Sequence, residues 1–145
     1  MDGFLTKGCK YALQALLYLA SQPGARPSFQ RQIATALDIP PHFLGKVLQM
    51  LVRSGLIISQ RGKTGGFILG KSAEEITPYE VILAIDGPAF LDDCFLGFPG
   101  CNDQFPCPLH SRWTHIKEDI IAMLKTQSIA QLERQIGAEF PVTTV

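Results

Sequence analysis

Leu56-Ile-Ile-Ser-Gln60-Arg-Gly-Lys-Thr-Gly65-Gly-Phe-Ile-Leu69 is the stretch that decides the fold. Leu56 to Ser59 and Phe67 to Leu69 are rich in β-formers, and the residues between them are basic and rich in glycine. Two short strands around such a loop form a β-hairpin. The loop's glycines let backbone come close to a phosphate, and Arg61 and Lys63 suit a phosphate contact or entry into a minor groove. Gly62-Lys63-Thr64 also resembles the tail of a phosphate-binding loop, but Ile57 stands where that motif's first glycine belongs and a strand follows instead of a helix. The hairpin therefore reads as the wing of a winged helix.

Upstream of the hairpin the period changes from two to 3.6. Leu44, Val47, Leu48 and Leu51 recur at i, i+3, i+4 and i+7, and Pro40-Pro41 suits the start of that helix. Its other face carries His42, Gly45, Lys46, Gln49 and Arg53. A shorter helix precedes it, with Ser28 as the expected cap and Ile33, Ala34 and Leu37 turned inward; Asp38-Ile39 makes the turn. Two helices joined in this way, the second with a basic outer face, describe a helix-turn-helix whose recognition helix enters the major groove. Before them, Leu5, Cys9, Ala12, Leu13, Leu16, Leu17 and Ala20 mark a first amphipathic helix that Pro23-Gly24 ends. Cys9 lies on its apolar stripe, where a buried, inert thiol is expected.

Charge supports this reading. The 145 residues are neutral in sum, but residues 1–71 carry nine Lys/Arg against Asp2 and Asp38, a net +7, and the remainder is −7. A basic half facing a polyanion, joined to an acidic half turned away from it, suits a nucleic-acid binder. The longest apolar runs are too short to span a bilayer. No secretory leader opens the sequence, so a cytoplasmic chain with reduced thiols is expected.

Downstream, Thr77-Pro-Tyr-Glu80 reads as a capping box that opens a helix burying Val81, Ile82 and Ile85 and stopping at Gly87-Pro88. Then comes Cys94-Phe-Leu-Gly-Phe-Pro-Gly-Cys101-Asn-Asp-Gln-Phe-Pro-Cys107-Pro-Leu-His110, with three of the four cysteines and a histidine in a loop broken by proline and glycine. Thiolate and imidazole are the ligands of iron-sulfur clusters and zinc. Gaps of six and five residues are wider than the tight knuckles of structural zinc and favour a loop draped over a larger object. Zinc held by Cys94, Cys101, Cys107 and His110, a disulfide with spare thiols, and unliganded thiols are the competing readings. From Ser111 a longer helix carries Trp113, Ile116, Ile120, Met123 and Leu124, and Ser128 caps a last short helix ending at Gly137. Little of the head remains to cover the long helix, so pairing with a second copy is expected, which sets two recognition helices about 34 Å apart or a multiple of it. Phe140 to Val145 is expected to be a frayed tail.

The fold class expected is mainly α with a small β-hairpin wing: a winged helix-turn-helix head at 1–88, a cluster-binding loop at 89–110, and a dimerisation helix with a C-terminal helix at 111–145. Lys10 to Ala20, Ile33-Ala34, Ile39 to Leu44, Ser59 to Phe67, Ile85 to Pro88 and the three-cysteine loop together resemble the IscR/NsrR/RirA family of bacterial winged-helix transcription regulators that sense through an iron-sulfur cluster. The likeness runs from about Leu5 to Leu124, and its most specific parts are Arg61 to Gly66 and Cys107 to Trp113.

The resemblance implies a homodimer that binds a pseudo-palindromic operator in double-stranded DNA, with Cys94, Cys101 and Cys107 holding the cluster. His110 stands where the IscR-like branch completes a 2Fe-2S site, which is favoured. The NsrR-like branch holds 4Fe-4S with a carboxylate from the partner's first helix, but the matching stretch here offers Lys7, Cys9 and Lys10 and no acid. Cys9 of the partner subunit and Asp103 are outside candidates for the fourth ligand. The chain departs from the pattern in its six-residue gap after Cys94 and in Gly45 on the recognition helix. Candidate DNA contacts are Ser28, Gln30, His42, Lys46 and Gln49 from the helix-turn-helix, and Arg61, Lys63 and Thr64 from the wing. A zinc-stabilised regulator and a small iron-sulfur electron carrier are the alternatives. No nucleophile is paired with a base, so no enzyme is expected.

Overall fold

A computed structural model describes residues 4–137; the expected tail, 140–145, lies outside them. Helix α1 (Lys7–Ala20) runs through the centre, with Cys9, Ala12, Ala15, Leu16 and Leu19 buried along one face. Thr6 caps it, its hydroxyl accepting from the Cys9 N–H at 3.1 Å. Helices α2 (Gln30–Leu37) and α3 (Pro41–Arg53) follow, joined through Asp38 in the left-handed region (φ 54°). The α3 stripe is as expected: Leu44, Val47, Leu48 and Leu51 are all buried in one cluster with Leu16, Ile33 and Leu37. Burying each such side chain contributes about 1.5–3 kcal/mol relative to exposure.

Strands β1 (Ile57–Gln60) and β2 (Gly66–Leu69) pair antiparallel, Ile57 opposite Leu69 and Gln60 opposite Gly66. Ser28 does not cap α2. Its backbone forms a β-bridge to Phe67, donating to the Phe67 carbonyl at 3.1 Å and accepting from its N–H at 2.7 Å. The serine is thereby buried at 3% exposure, and the α2 entrance is closed by Gln32, whose Oε1 accepts from the Phe29 N–H at 2.6 Å. Gly66, at φ 127°, is required at this seat, because a Cβ there would meet the Ser28 carbonyl oxygen at 2.6 Å.

Helix α4 (Pro78–Asp86) is capped by Thr77, which accepts from the Glu80 N–H at 3.3 Å. Only this half of the expected capping box forms, because the Glu80 carboxylate pairs with Lys71 at 2.7 Å instead. After the cysteine loop come α5 (His110–Thr126) and α6 (Ile129–Ile136). Ser128 caps α6 with a complete capping box to Gln131, as expected. The two helices differ in what they cover. No residue of α5 is buried, whereas α6 returns to the head and packs on α1, with Ile129 fully enclosed in the same core as Leu16 and Leu48. None of the described helices is long and apolar enough to cross a membrane.

Candidate metal centre and nucleic-acid interface

The cysteine loop leaves α4 at Gly87 and ends on α5, and it is fastened at two points. At the first, Asp86 accepts from the Thr6 hydroxyl at 2.6 Å, joining the end of α4 to the start of α1. At the second, the Trp113 indole N–H donates to the Asp93 carbonyl at 3.1 Å, and its ring meets Phe95 edge-on. Between these anchors the sulfurs of Cys94, Cys101 and Cys107 lie within 4.8 Å of one another. Cys94 Sγ is 3.6 Å from Cys107 Sγ, and the Cys107 N–H lies 3.4 Å from Cys101 Sγ. His110 is the first residue of α5, with Nδ1 3.2 Å from Cys101 Sγ and Nε2 2.8 Å from Asp103 Oδ1. All four thiols are free.

The trio is electrostatically uneven. Partial burial works against ionisation of Cys94, but backbone hydrogen bonds from Phe98 and Leu96 and those from Cys107 and Cys101 together bring its pKa down to about 7. Cys101 moves the other way: the Cys107 N–H favours its thiolate, but desolvation and the neighbouring Cys107 and Cys94 thiols prevail. Such a site can lose protons to a metal stepwise, since metal binding takes the thiolate form. Cys9 lies outside it. Burial, reinforced by the negative charge of Asp86, pushes its thiol up to about 12. On the metal-free protein, iodoacetamide near pH 8 is expected to label three cysteines in the folded state and four in urea; fast labelling of Cys9 in the folded protein would contradict this.

On the basic side, the expected DNA residues fall into two groups. His42, Lys46 and Gln49 are exposed on α3, and Arg61, Lys63 and Thr64 are exposed between the two strands. Lys46, Arg61 and Lys63 form no ion pair with another described residue. Ser28 is not in this surface, being enclosed under the wing. Gln30 is half-buried, and its amide donates to the Pro41 carbonyl at 2.8 Å, bracing the entrance of α2 against that of α3. That brace accounts for Gly45: a Cβ there would approach Gln30 Nε2 to 2.8 Å and displace it. The sequence marked Gly45 only as a departure, because nothing local signals a side chain crossing over it.

A family model described as Rrf2, iron-dependent transcriptional regulator, matches residues 5–135. The chain belongs to the Rrf2 family. As an Rrf2 protein it is a DNA-binding transcriptional regulator and not an enzyme. It is 32% identical to the HTH-type transcriptional regulator IscR of Photorhabdus laumondii over 128 residues, covering 88% of this chain and 77% of that one. Among solved structures it resembles CymR, the global cysteine regulator of B. subtilis, at a TM-score of 0.77 and 22% identity, over 90% of this chain and 96% of that one. It also resembles IscR of T. potens at a TM-score of 0.71 and 23% identity, over 90% and 86% of the two chains. At those identities the likeness speaks for the winged Rrf2 fold. The three gathered cysteines, with IscR among the relatives, are compatible with an iron-sulfur cluster.

Proposed function

We propose that this Rrf2 protein is a homodimer whose grip on a pseudo-palindromic operator is set by an iron-sulfur cluster held by Cys94, Cys101, Cys107 and His110. The observation that carries the reading is the gathering of three thiols within 4.8 Å of one another, with the His110 ring against one of them. Cys94 and Cys107 lie 3.6 Å apart, and Cys101 and His110 lie 3.2 Å apart. Two thiolates on one tetrahedral metal with bonds of about 2.3 Å stand about 3.8 Å apart, so the thiols already lie near the spacing that metal ligation requires. Three thiols and one imidazole would hold an iron-sulfur cluster, with 2Fe-2S favoured because His110 stands where the IscR-like branch completes such a site. When bound, the group supplies a one-electron couple and a centre open to oxidants. The chain's own part is mechanical: the loop joins α4, fastened to α1 through Asp86 and Thr6, to α5, so its state bears on how the heads are presented. The uncovered face of α5, with Ile116 43% and Met123 64% exposed, supports a second copy as its partner.

Purification without oxygen, followed by absorbance and iron and sulfide analysis, tests this reading. A brown protein with equal iron and sulfide is expected. A colourless protein holding one zinc through the same donors would replace it. For the interface, His42, Lys46 and Gln49 face the groove while Arg61, Lys63 and Thr64 meet backbone or minor groove. Arg61→Ala is expected to weaken operator binding by about 1–3 kcal/mol and to lessen its salt dependence, leaving the visible spectrum unchanged. Anisotropy titration at two salt concentrations measures the first effects, and a changed spectrum would refute the division of labour.

A further inference from the structure

Asp103 does not join the sulfurs. Its Oδ1 lies 2.8 Å from His110 Nε2, on the opposite ring nitrogen from the one that approaches Cys101. We infer that Asp103 is a positioning residue that fixes the tautomer and ring orientation of His110, so that Nδ1 is the atom presented to the metal. The inference rests on the cluster reading above. An ionised carboxylate only accepts, so Nε2 carries the proton of the pair and the neutral ring's lone pair stands on Nδ1, 3.2 Å from Cys101 Sγ. A histidine that ligates through one nitrogen is ordinarily held by a partner on the other, which also raises its basicity as a donor.

The pair is built from both sides. Asn102 Oδ1 accepts from the N–H groups of Gln104 and Phe105, each at 2.8 Å, closing a turn with Asp103 inside it. His110 is held at the mouth of α5: its N–H donates to the Cys107 carbonyl at 3.1 Å, and its own carbonyl accepts from the Thr114 hydroxyl at 2.8 Å. With both backbones fixed, the imidazole's rotation is what Asp103 restrains. The Asp103 side chain is 96% exposed and that of His110 is 19% exposed, so this hydrogen bond adds little to folding. Its removal should therefore register at the metal and not in the melting temperature.

The test loads wild type, Asp103→Ala, Asp103→Asn and His110→Ala with ferrous iron and sulfide without oxygen, using protein whose histidines carry 15N at Nδ1. Pulsed EPR of the reduced state should show one strong coupling to the labelled nitrogen in wild type and none in His110→Ala. In Asp103→Ala that coupling should weaken or divide between the two ring nitrogens, and a chelator should strip the iron about 10- to 100-fold faster. Asp103→Asn, whose carbonyl can accept the same proton, should recover the coupling. Strong coupling through the other nitrogen in wild type overturns the inference, as does an Asp103→Ala protein that matches wild type in both coupling and stripping rate. A wild-type chain that takes up no cluster overturns the reading beneath it instead, which keeps the two failures apart.

Discussion

Cys107→Ala is expected to give a folded, colourless protein whose operator affinity differs from that of the loaded wild type by about 5- to 150-fold, the range spanned by couplings of ~1–3 kcal/mol. Cys107 is the hub of the loop, its sulfur 3.6 Å from Cys94 Sγ and its N–H 3.4 Å from Cys101 Sγ. Replacing it by alanine takes one sulfur from the gathered donors and leaves the backbone N–H against Cys101 in place. The core does not depend on it: Cys107 is only half-buried and stands outside the cluster formed around Leu16 and Leu48. Its loss should therefore change stability by no more than about 0.5 kcal/mol, as for other replacements away from the core. Absorbance, a thermal melt of the metal-free proteins and an anisotropy titration separate these effects. Retained colour, or an affinity equal to that of the loaded wild type, would break the proposed link between loop and head.

What the sequence made legible was whatever depends on neighbours in the chain. The apolar period of α3, the turn at Asp38 and the β-rich runs flanking Arg61 to Gly66 each carry their own signal, and the structure has them within a residue of expectation. Ser28 and Glu80 mark where this fails. Each has the chemistry of a local cap, and each is claimed by a distant partner, Ser28 by Phe67 and Glu80 by Lys71. A propensity rule ranks local options and cannot weigh a competitor 39 residues away, as Phe67 is from Ser28. The candidate metal centre divides in the same way. Ligand types and spacing are written in the chain, but the gathering of the donors and the place of Asp103 depend on how a loop without period folds back, which the sequence left between ligand and bystander.

The C-terminal segment offers the second large effect. Ile129→Ala is expected to destabilise the head by about 2–5 kcal/mol, the usual cost of emptying an enclosed aliphatic site. Ile129 has no exposed surface, its N–H donates to the Ile76 carbonyl at 2.7 Å, and the next residue, Ala130, donates to the Ala73 carbonyl at 3.0 Å. The Arg134 to Glu74 bridge at 2.7 Å adds little, both side chains being more than half exposed. So α6, read from the sequence as a short C-terminal helix after the dimerisation helix, closes the core of the head. Met123→Ala on α5 makes the contrast. Its side chain is 64% exposed in the single chain, so its loss should leave the head's stability alone and instead weaken the proposed dimer. Urea unfolding at several protein concentrations tells the two apart, because stability shared between protomers depends on concentration whereas that of one head does not. The Ile129→Ala loss should be the same at every concentration, and the Met123→Ala loss should shrink on dilution as both proteins approach the single head. A concentration-dependent loss for Ile129→Ala would mean that α6 closes the partner's head instead of its own, and that the dimer is knitted by α6 as well as by α5.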